Sequence, residues 1–407
     1  MMRPRKNPPS RPSLPKALLP LEGGLRSALG IPSVSVDTEG LGPENKVKGS
    51  PPVLQLWKKG RRSGTAEREE TYLNRRYALV AFLAVFSGCR HIPDGHRVEP
   101  GLVRPAAPTQ EQVRVLRPIY PSGPLALETL DSASAWERNR FSFQVYCDLD
   151  GDYRVVRGEY YRTLRGAGEA GFPLIAIAPI LGGEGEGYLA SRFIARECCR
   201  SGFSAFFLYQ ERTILSGQRD ALGLESRMRH EVRDNISALA AFSALDEVDA
   251  GRLGSFGVSL GAIRNVVLIA AEPRLKANVL CLGGLDLVAI LRTSRETMVL
   301  RYLSSRMERE SLSSREVELE FRKYFASNPA NLAGGISPGE VLMFLSVYDE
   351  VVPYNEGLAL RQMLGAPEAY LMPLGHYTAL LGAPWITYRA LGWVSGRFAG
   401  KQLSAPR

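Results

Sequence analysis

From residue 140 onward, apolar positions follow two rhythms. Unbroken apolar runs of strand length, at 174–179 and 203–209, alternate with longer stretches of helical period at 188–201 and 225–245. Unbroken runs suit strands covered on both faces, because both sides of the pleat then need apolar groups. Residues 141–147 alternate instead. With 153–158, across an acidic turn, they predict a hairpin. Short strands at 253–256, 278–282, 341–347 and 369–372, and helices at 262–271 and 385–398, complete the pattern. Strand–helix alternation of this kind predicts the α/β class, with a mostly parallel central sheet flanked by helices. Residues 285–340 break the rhythm with a charged helical stretch at 295–323. That is long for a simple crossover. It reads as a helical lid insertion over the top of the sheet, with a pair of plain surface helices as the bland alternative.

One turn carries chemistry. Gly257-Val258-Ser259-Leu260-Gly261 lies where a strand runs out and a helix begins. A serine on such a turn sits in strained backbone with its hydroxyl exposed, and glycines on either side let strand and helix pass closely. The plain reading is a glycine-rich turn that only packs. A serine hydroxyl needs a base, and the chain has four histidines. His91 and His96 precede the regular pattern, and His230 falls inside a helix. His376 follows the last short strand, at the same sheet edge as Ser259. A carboxylate must hold the histidine's tautomer. Asp349 follows the strand at 341–347, with Asp286 as fallback and Glu350 as a weaker candidate. The order serine, aspartate, histidine is that of one hydrolase architecture and differs from both well-known serine-protease orders.

On the elbow, the Asp349-Glu350-Val351-Val352-Pro353 turn and the late Gly375-His376 pair, residues 140–400 resemble the α/β-hydrolase superfamily, of the serine esterase and lipase kind. The resemblance implies an oxyanion hole built from the amide of Leu260 and a second amide from the loop after the 174–179 strand, at Leu181 or Gly182. The His-Gly that usually starts that loop is replaced by Ile180-Leu181. Acyl transfer is implied, through an ester of Ser259 and without a cofactor. The substrate is a small-molecule or lipid-like carboxylic ester. An acyltransferase or peptidase on the same three residues is the alternative within the enzyme class, and a hydrolase-like binding protein is the alternative outside it.

Charge changes the picture less than its total suggests. The 407 residues carry a net +9, but residues 1–76 hold 15 Lys/Arg against 7 Asp/Glu, and the remaining 331 hold 36 against 35. The basic excess belongs to a tail, so no nucleic-acid partner is expected of the folded part. Residues 1–72 are rich in Pro, Gly, Lys and Arg without apolar period, and read as disordered. Asn74-Arg75-Arg76, the apolar run Tyr77 to Phe86 and Ser87-Gly88-Cys89 then have the three parts of a secretory signal. The ending at Cys89 resembles a bacterial lipoprotein cleavage box, with Cys89 as the lipid-bearing residue; a buried element is the plain reading. A signal at 73–89 puts the true start near Leu73 and the mature protein in the cell envelope, lipid-anchored to a membrane or secreted; without it the cytoplasm is expected. Residues 90–139, rich in proline, read as a tether. The five cysteines show neither disulfide nor zinc spacing, and no metal site is expected. The acidic turn Asp148-Leu149-Asp150-Gly151-Asp152 has its glycine too early for a calcium loop.

Overall fold

Apolar runs with both faces covered form the middle of a large sheet in the computed structural model, which describes residues 88–95, 107–117, 123–147, 151–166, 171–182, 186–210, 214–215 and 218–400. Among them ten strands pair: β1 Arg90–Ile92, β2 Ala126–Ala133, β3 Trp136–Cys147, β4 Asp152–Thr163, β5 Phe172–Ala178, β6 Ser204–Leu208, β7 Val248–Val258, β8 Leu275–Cys281, β9 Val341–Ser346 and β10 Glu368–Met372. Their spatial order is β1-β10-β9-β8-β7-β5-β6-β4-β3-β2. The six strands from β10 to β6 run parallel, and β4, β3, β2 and β1 are added antiparallel at the two ends.

Helices cover both faces, and the side-chain period of two sorts each strand between them. On β5, Leu174 and Ala176 face one core while Ile175 and Ile177 face the other. The first core takes α3 (Ala221–Ser243), α4 (Leu260–Ala271) and α9 (Tyr354–Met363). The second takes α2 (Glu186–Arg200) and α10 (Ala383–Phe398), and it buries Cys198 and Cys199 against the sheet. Phe141, Tyr160 and Phe206 surround Phe242 of α3 at centroid distances of 4.6–5.0 Å. These aromatic contacts tie the antiparallel extension to the helical layer; such pairs contribute about 0.5–1.5 kcal/mol each beyond burial.

The insertion at 285–340 folds as α5 (Leu287–Thr293), α6 (Thr297–Glu310), α7 (Ser314–Tyr324) and α8 (Pro329–Leu332). Capping is explicit in its sequence. Asp286 caps α5, and Ser313 with Glu316 closes a reciprocal capping box on α7. Apolar residues of α5 to α7 make a third core with Leu224 and Met228 of α3, Ile263 of α4 and Val352.

The expected tether at 90–139 is corrected. Its described residues include β1, β2, the start of β3 and α1 (Gln110–Arg114). β2 has no apolar rhythm because almost every residue in it is exposed; its register comes from the ladder with β3 and from pairs such as Asp131–Arg138 and Glu128–Arg140. Charged side chains on an edge strand also discourage pairing with other chains. Cys89 precedes β1 directly and is half-buried against the second core. The rest of the candidate signal, up to Ser87, and the tail at 1–72 lie outside the described residues, as does the turn at 148–150. None of the described helices is long and apolar enough to cross a membrane.

Candidate active site

Strand β7 ends at Val258, and α4 starts at Leu260, so Ser259 occupies the bend by itself. Its φ of 56° and ψ of −124° are a conformation that L residues rarely hold, at a cost of about 1–3 kcal/mol. Neighbouring structure enforces it. The Ser259 amide donates to the Cys281 carbonyl at 2.8 Å. The two glycines are required by space: a Cβ on Gly261 would stand 2.1 Å from the Ala178 carbonyl oxygen, and one on Gly257 would stand 2.6 Å from that of Gly261.

Folding brings the three distant residues into one row. Ser259 Oγ lies 2.8 Å from His376 Nε2, and His376 Nδ1 lies 2.7 Å from Asp349 Oδ2. Asp349 Oδ1 accepts the amides of Val351 and Val352, each at 2.9 Å. Both carboxylate oxygens are thereby engaged, Oδ2 by the imidazole and Oδ1 by the two amides. Ser259 and Asp349 are buried, and the His376 side chain is 10% exposed. Backbone bonds past the strand ends stitch the loops together: Ser259 to Cys281, Leu282 to Phe344, Val347 to Met372 and Tyr348 to Leu374, at 2.8–3.0 Å. Each loop therefore leaves its strand in fixed register with the next. Cys281 lies inside this stitching, and burial pushes its thiol up to about 12. Its side chain packs in the second core.

No protein-family model matches the chain, and no curated protein matches it in sequence. Solved structures do match. Acetyl xylan esterase 1 from Thermoanaerobacterium sp. JW/SL YS485 superposes with a TM-score of 0.51 at 16% identity, over 70% of this chain and 95% of that one. An acetyl xylan esterase from Paenibacillus sp. R4 superposes with a TM-score of 0.51 at 15% identity, over 68% and 92%. This chain has the α/β-hydrolase fold. In an α/β-hydrolase sheet, ligands collect beyond the carboxyl ends of the parallel strands, and here β7, β9 and β10 deliver Ser259, Asp349 and His376 to that edge.

The α/β-hydrolase elbow also presents the Leu260 amide at the first position of α4, where N–H groups lack intrahelical acceptors. Leu260 and Leu181 both pack against the third core, so the two sides of the candidate oxyanion site share one apolar wall. Gly182 follows with a φ of 143°. The carbonyl of Pro179, just before them, accepts from Arg264 at 2.7 Å and from Gln210 at 3.0 Å, which pins the exit of β5. Residues 183–185 are outside the described set. Asp286 is not part of the row: its carboxylate caps α5 and accepts from Arg322 and Asn328. Glu350 is exposed and pairs with Arg295.

Sequence reasoning missed the groups that connect the insertion to the row. Arg295 donates its amide to the Glu350 carbonyl at 2.9 Å, and the Tyr377 hydroxyl donates to Glu296, the cap of α6. Burial and the Glu296 carboxylate together raise the Tyr377 phenol. The segment entering α6 is thus fastened to both the aspartate turn and the histidine loop. No periodic signal marks contacts between residues 81 apart. His91, read as part of a tether, instead pairs with Glu368 across the β1–β10 edge at 2.9 Å.

Proposed function

We propose that this protein is a serine hydrolase that cleaves a carboxylic ester through an acyl-enzyme. The observation that carries the reading is the row Ser259–His376–Asp349, with contacts of 2.8 and 2.7 Å at the carboxyl edge of the sheet. Ser259 Oγ attacks the ester carbonyl and passes its proton to His376 Nε2. Asp349 receives the Nδ1–H bond and stabilises the imidazolium. The Leu260 amide, with a second from Leu181 or Gly182, donates to the developing oxyanion. The alcohol leaves with the proton held by His376. Water, with His376 as base, then releases the acid and restores Ser259.

A small-molecule or lipid-like ester fits the apolar wall formed by Leu181, Leu260 and the insertion. Val347, Tyr348, Tyr377, Leu380 and Leu381 are exposed on the loops around the row, and they favour an apolar acyl or alcohol group at the entrance. The acetyl esters named for the solved structures of this fold are a natural first trial. Chromogenic esters of increasing acyl length, assayed with a Ser259→Ala control, test the proposal. Turnover on at least one ester, falling by about 10³-fold or more in the variant, is expected. Equal turnover by both proteins would overturn it. For location we propose the cell envelope, on the signal-like segment ending at Cys89. Loss of fatty-acyl labelling in Cys89→Ser is the matching test, and a native chain without acyl groups contradicts the anchor.

A further inference from the structure

One buried cation connects the two halves of the candidate oxyanion site. Leu260 opens α4, and Arg264 follows about one helical turn later. Arg264 is 5% exposed, beside the buried apolar residues Ile263, Val266 and Val267 of the same helix. A guanidinium leaves water only where other groups replace the water. Here Nη1 pairs with Glu231 of α3, and Nη2 donates to the Pro179 carbonyl at 2.7 Å.

The place of that carbonyl in the chain gives the bond its meaning. Pro179 follows the last residue of β5 and precedes Ile180, Leu181 and Gly182. Proline has no N–H, so its carbonyl is the only backbone group by which the chain can be held at that point. A carbonyl has two lone pairs, and a second donor is present: Gln210, two residues past β6, donates from Nε2 at 3.0 Å. The Gln210 amide in turn donates to the hydroxyl of buried Tyr188 at 2.6 Å. The elbow backbone also comes close, since a Cβ on Gly261 would stand 2.6 Å from the Pro179 carbonyl oxygen. Gly261 and Arg264 are three apart, so they lie on one side of the helix. The helix that presents the Leu260 amide therefore grips, by backbone and by side chain, the residue that leads into the Leu181 and Gly182 amides.

We propose that Arg264 is a positioning residue for the oxyanion site. It holds the loop with the second amide donor in fixed relation to the helix with the first, and Gln210 assists it. The proposal rests on the serine-hydrolase reading above. Arg264 acts through the loop, and its effect belongs to the transition state. A neutral substrate carbonyl loses little when a donor shifts, whereas the charged tetrahedral oxygen loses much. The cost therefore falls on kcat rather than KM.

Full-length Arg264→Met and Gln210→Leu, compared with wild type on the best ester of the acyl series, test this. Each rate is divided by the amount of active serine, titrated to completion with a fluorophosphonate. A trifluoromethyl ketone bearing the same acyl chain is the second probe, because Ser259 adds reversibly to its carbonyl and the resulting oxyanion occupies the site. Removing an oxyanion donor outright costs about 10²–10³-fold in kcat, so a donor set loose should cost about 10–100-fold in Arg264→Met and about 3–10-fold in Gln210→Leu. The inhibition constant of the ketone should rise by the same factor in each variant, with KM within about threefold of wild type. A role in folding alone would lower the melting temperature and the titrated serine, and would leave ketone affinity per active site unchanged. If Arg264→Met does not fold, Gln210→Leu, at a half-buried position, decides the matter by the same two readouts. An active wild type whose kcat and ketone affinity survive in the folded variants, or whose loss falls in KM alone, overturns the proposal and leaves the serine-hydrolase reading standing. A wild type inert to every ester and to the fluorophosphonate overturns that reading, and the proposal with it.

Discussion

Replacing Asp349 by Asn isolates the electrostatic part of the proposed mechanism while sparing the fold. The amide oxygen of Asn can still accept from Val351 and Val352, so the turn stays capped. The amide nitrogen then faces His376 Nδ1, where donor meets donor. To avoid this, the imidazole adopts the tautomer with its proton on Nε2, which cannot accept the proton of Ser259. The lost charge can be sized. An imidazolium and a carboxylate with centres about 4 Å apart, at an effective dielectric of about 20, attract by about 4 kcal/mol. Both groups are almost fully buried, so solvent screening removes little of this. That energy corresponds to about 10³-fold in rate, and the wrong tautomer extends the expected loss toward 10⁴-fold. The assay is kcat/KM on the best ester of the acyl series, with a thermal melt to show that the Asp349→Asn protein remains folded. A folded variant that keeps more than about a tenth of wild-type turnover would refute the reasoning, because His376 would then not depend on Asp349.

Other consequences are independent of substrate. Gly261→Ala forces a methyl group to 2.1 Å from the Ala178 carbonyl oxygen; it should cost about 2–3 kcal/mol in chemical denaturation. Cys199 and Cys281, pushed up to about 12 by burial, should stay unalkylated at about pH 8 in the folded protein, below the ordinary thiol range, and react once it is unfolded, as read by peptide mass spectrometry. Asp234 gives a signed pH effect. The unfolded chain releases this proton near the ordinary 3.8 and the folded chain near about 7. Between those values the folded state holds the extra proton, so rising pH destabilises it. Stability of the wild type relative to Asp234→Asn should therefore fall across that window, and a flat difference would contradict the burial argument. Tyr377→Phe removes one exposed contact to Glu296 and should shift stability by less than about 1 kcal/mol.

What could be read from the sequence follows from how each feature encodes itself. β5, β6, β8 and β9 announce themselves because both faces are buried and every position is apolar apart from Ser204, Lys276, Asn278 and Ser346. The elbow is legible because a strained φ and two close backbone approaches demand Gly257 and Gly261 around one serine. His376 and Asp349 could be placed by strand order, since the fold sets the edge at which strands end. β1 and β2 were hidden, being edge strands held by ladder bonds and ion pairs. α9 went unread because its apolar residues keep little helical period between Tyr354 and Met363, and the positions it buries include Gly357 and Arg361 beside Leu360. The amides that fix Asp349 and the contacts from Glu296 and Arg295 exist only once the chain is folded.

The central claim is that folding makes Ser259 a reactive nucleophile. A fluorophosphonate probe, followed by peptide mass spectrometry, tests it directly, because the reagent esterifies serines activated by a neighbouring base. The account predicts a single phosphonylated residue, Ser259, with labelling abolished in Ser259→Ala and strongly slowed in Asp349→Asn. Folded wild-type protein that resists the probe, or carries the label at another residue, would contradict it.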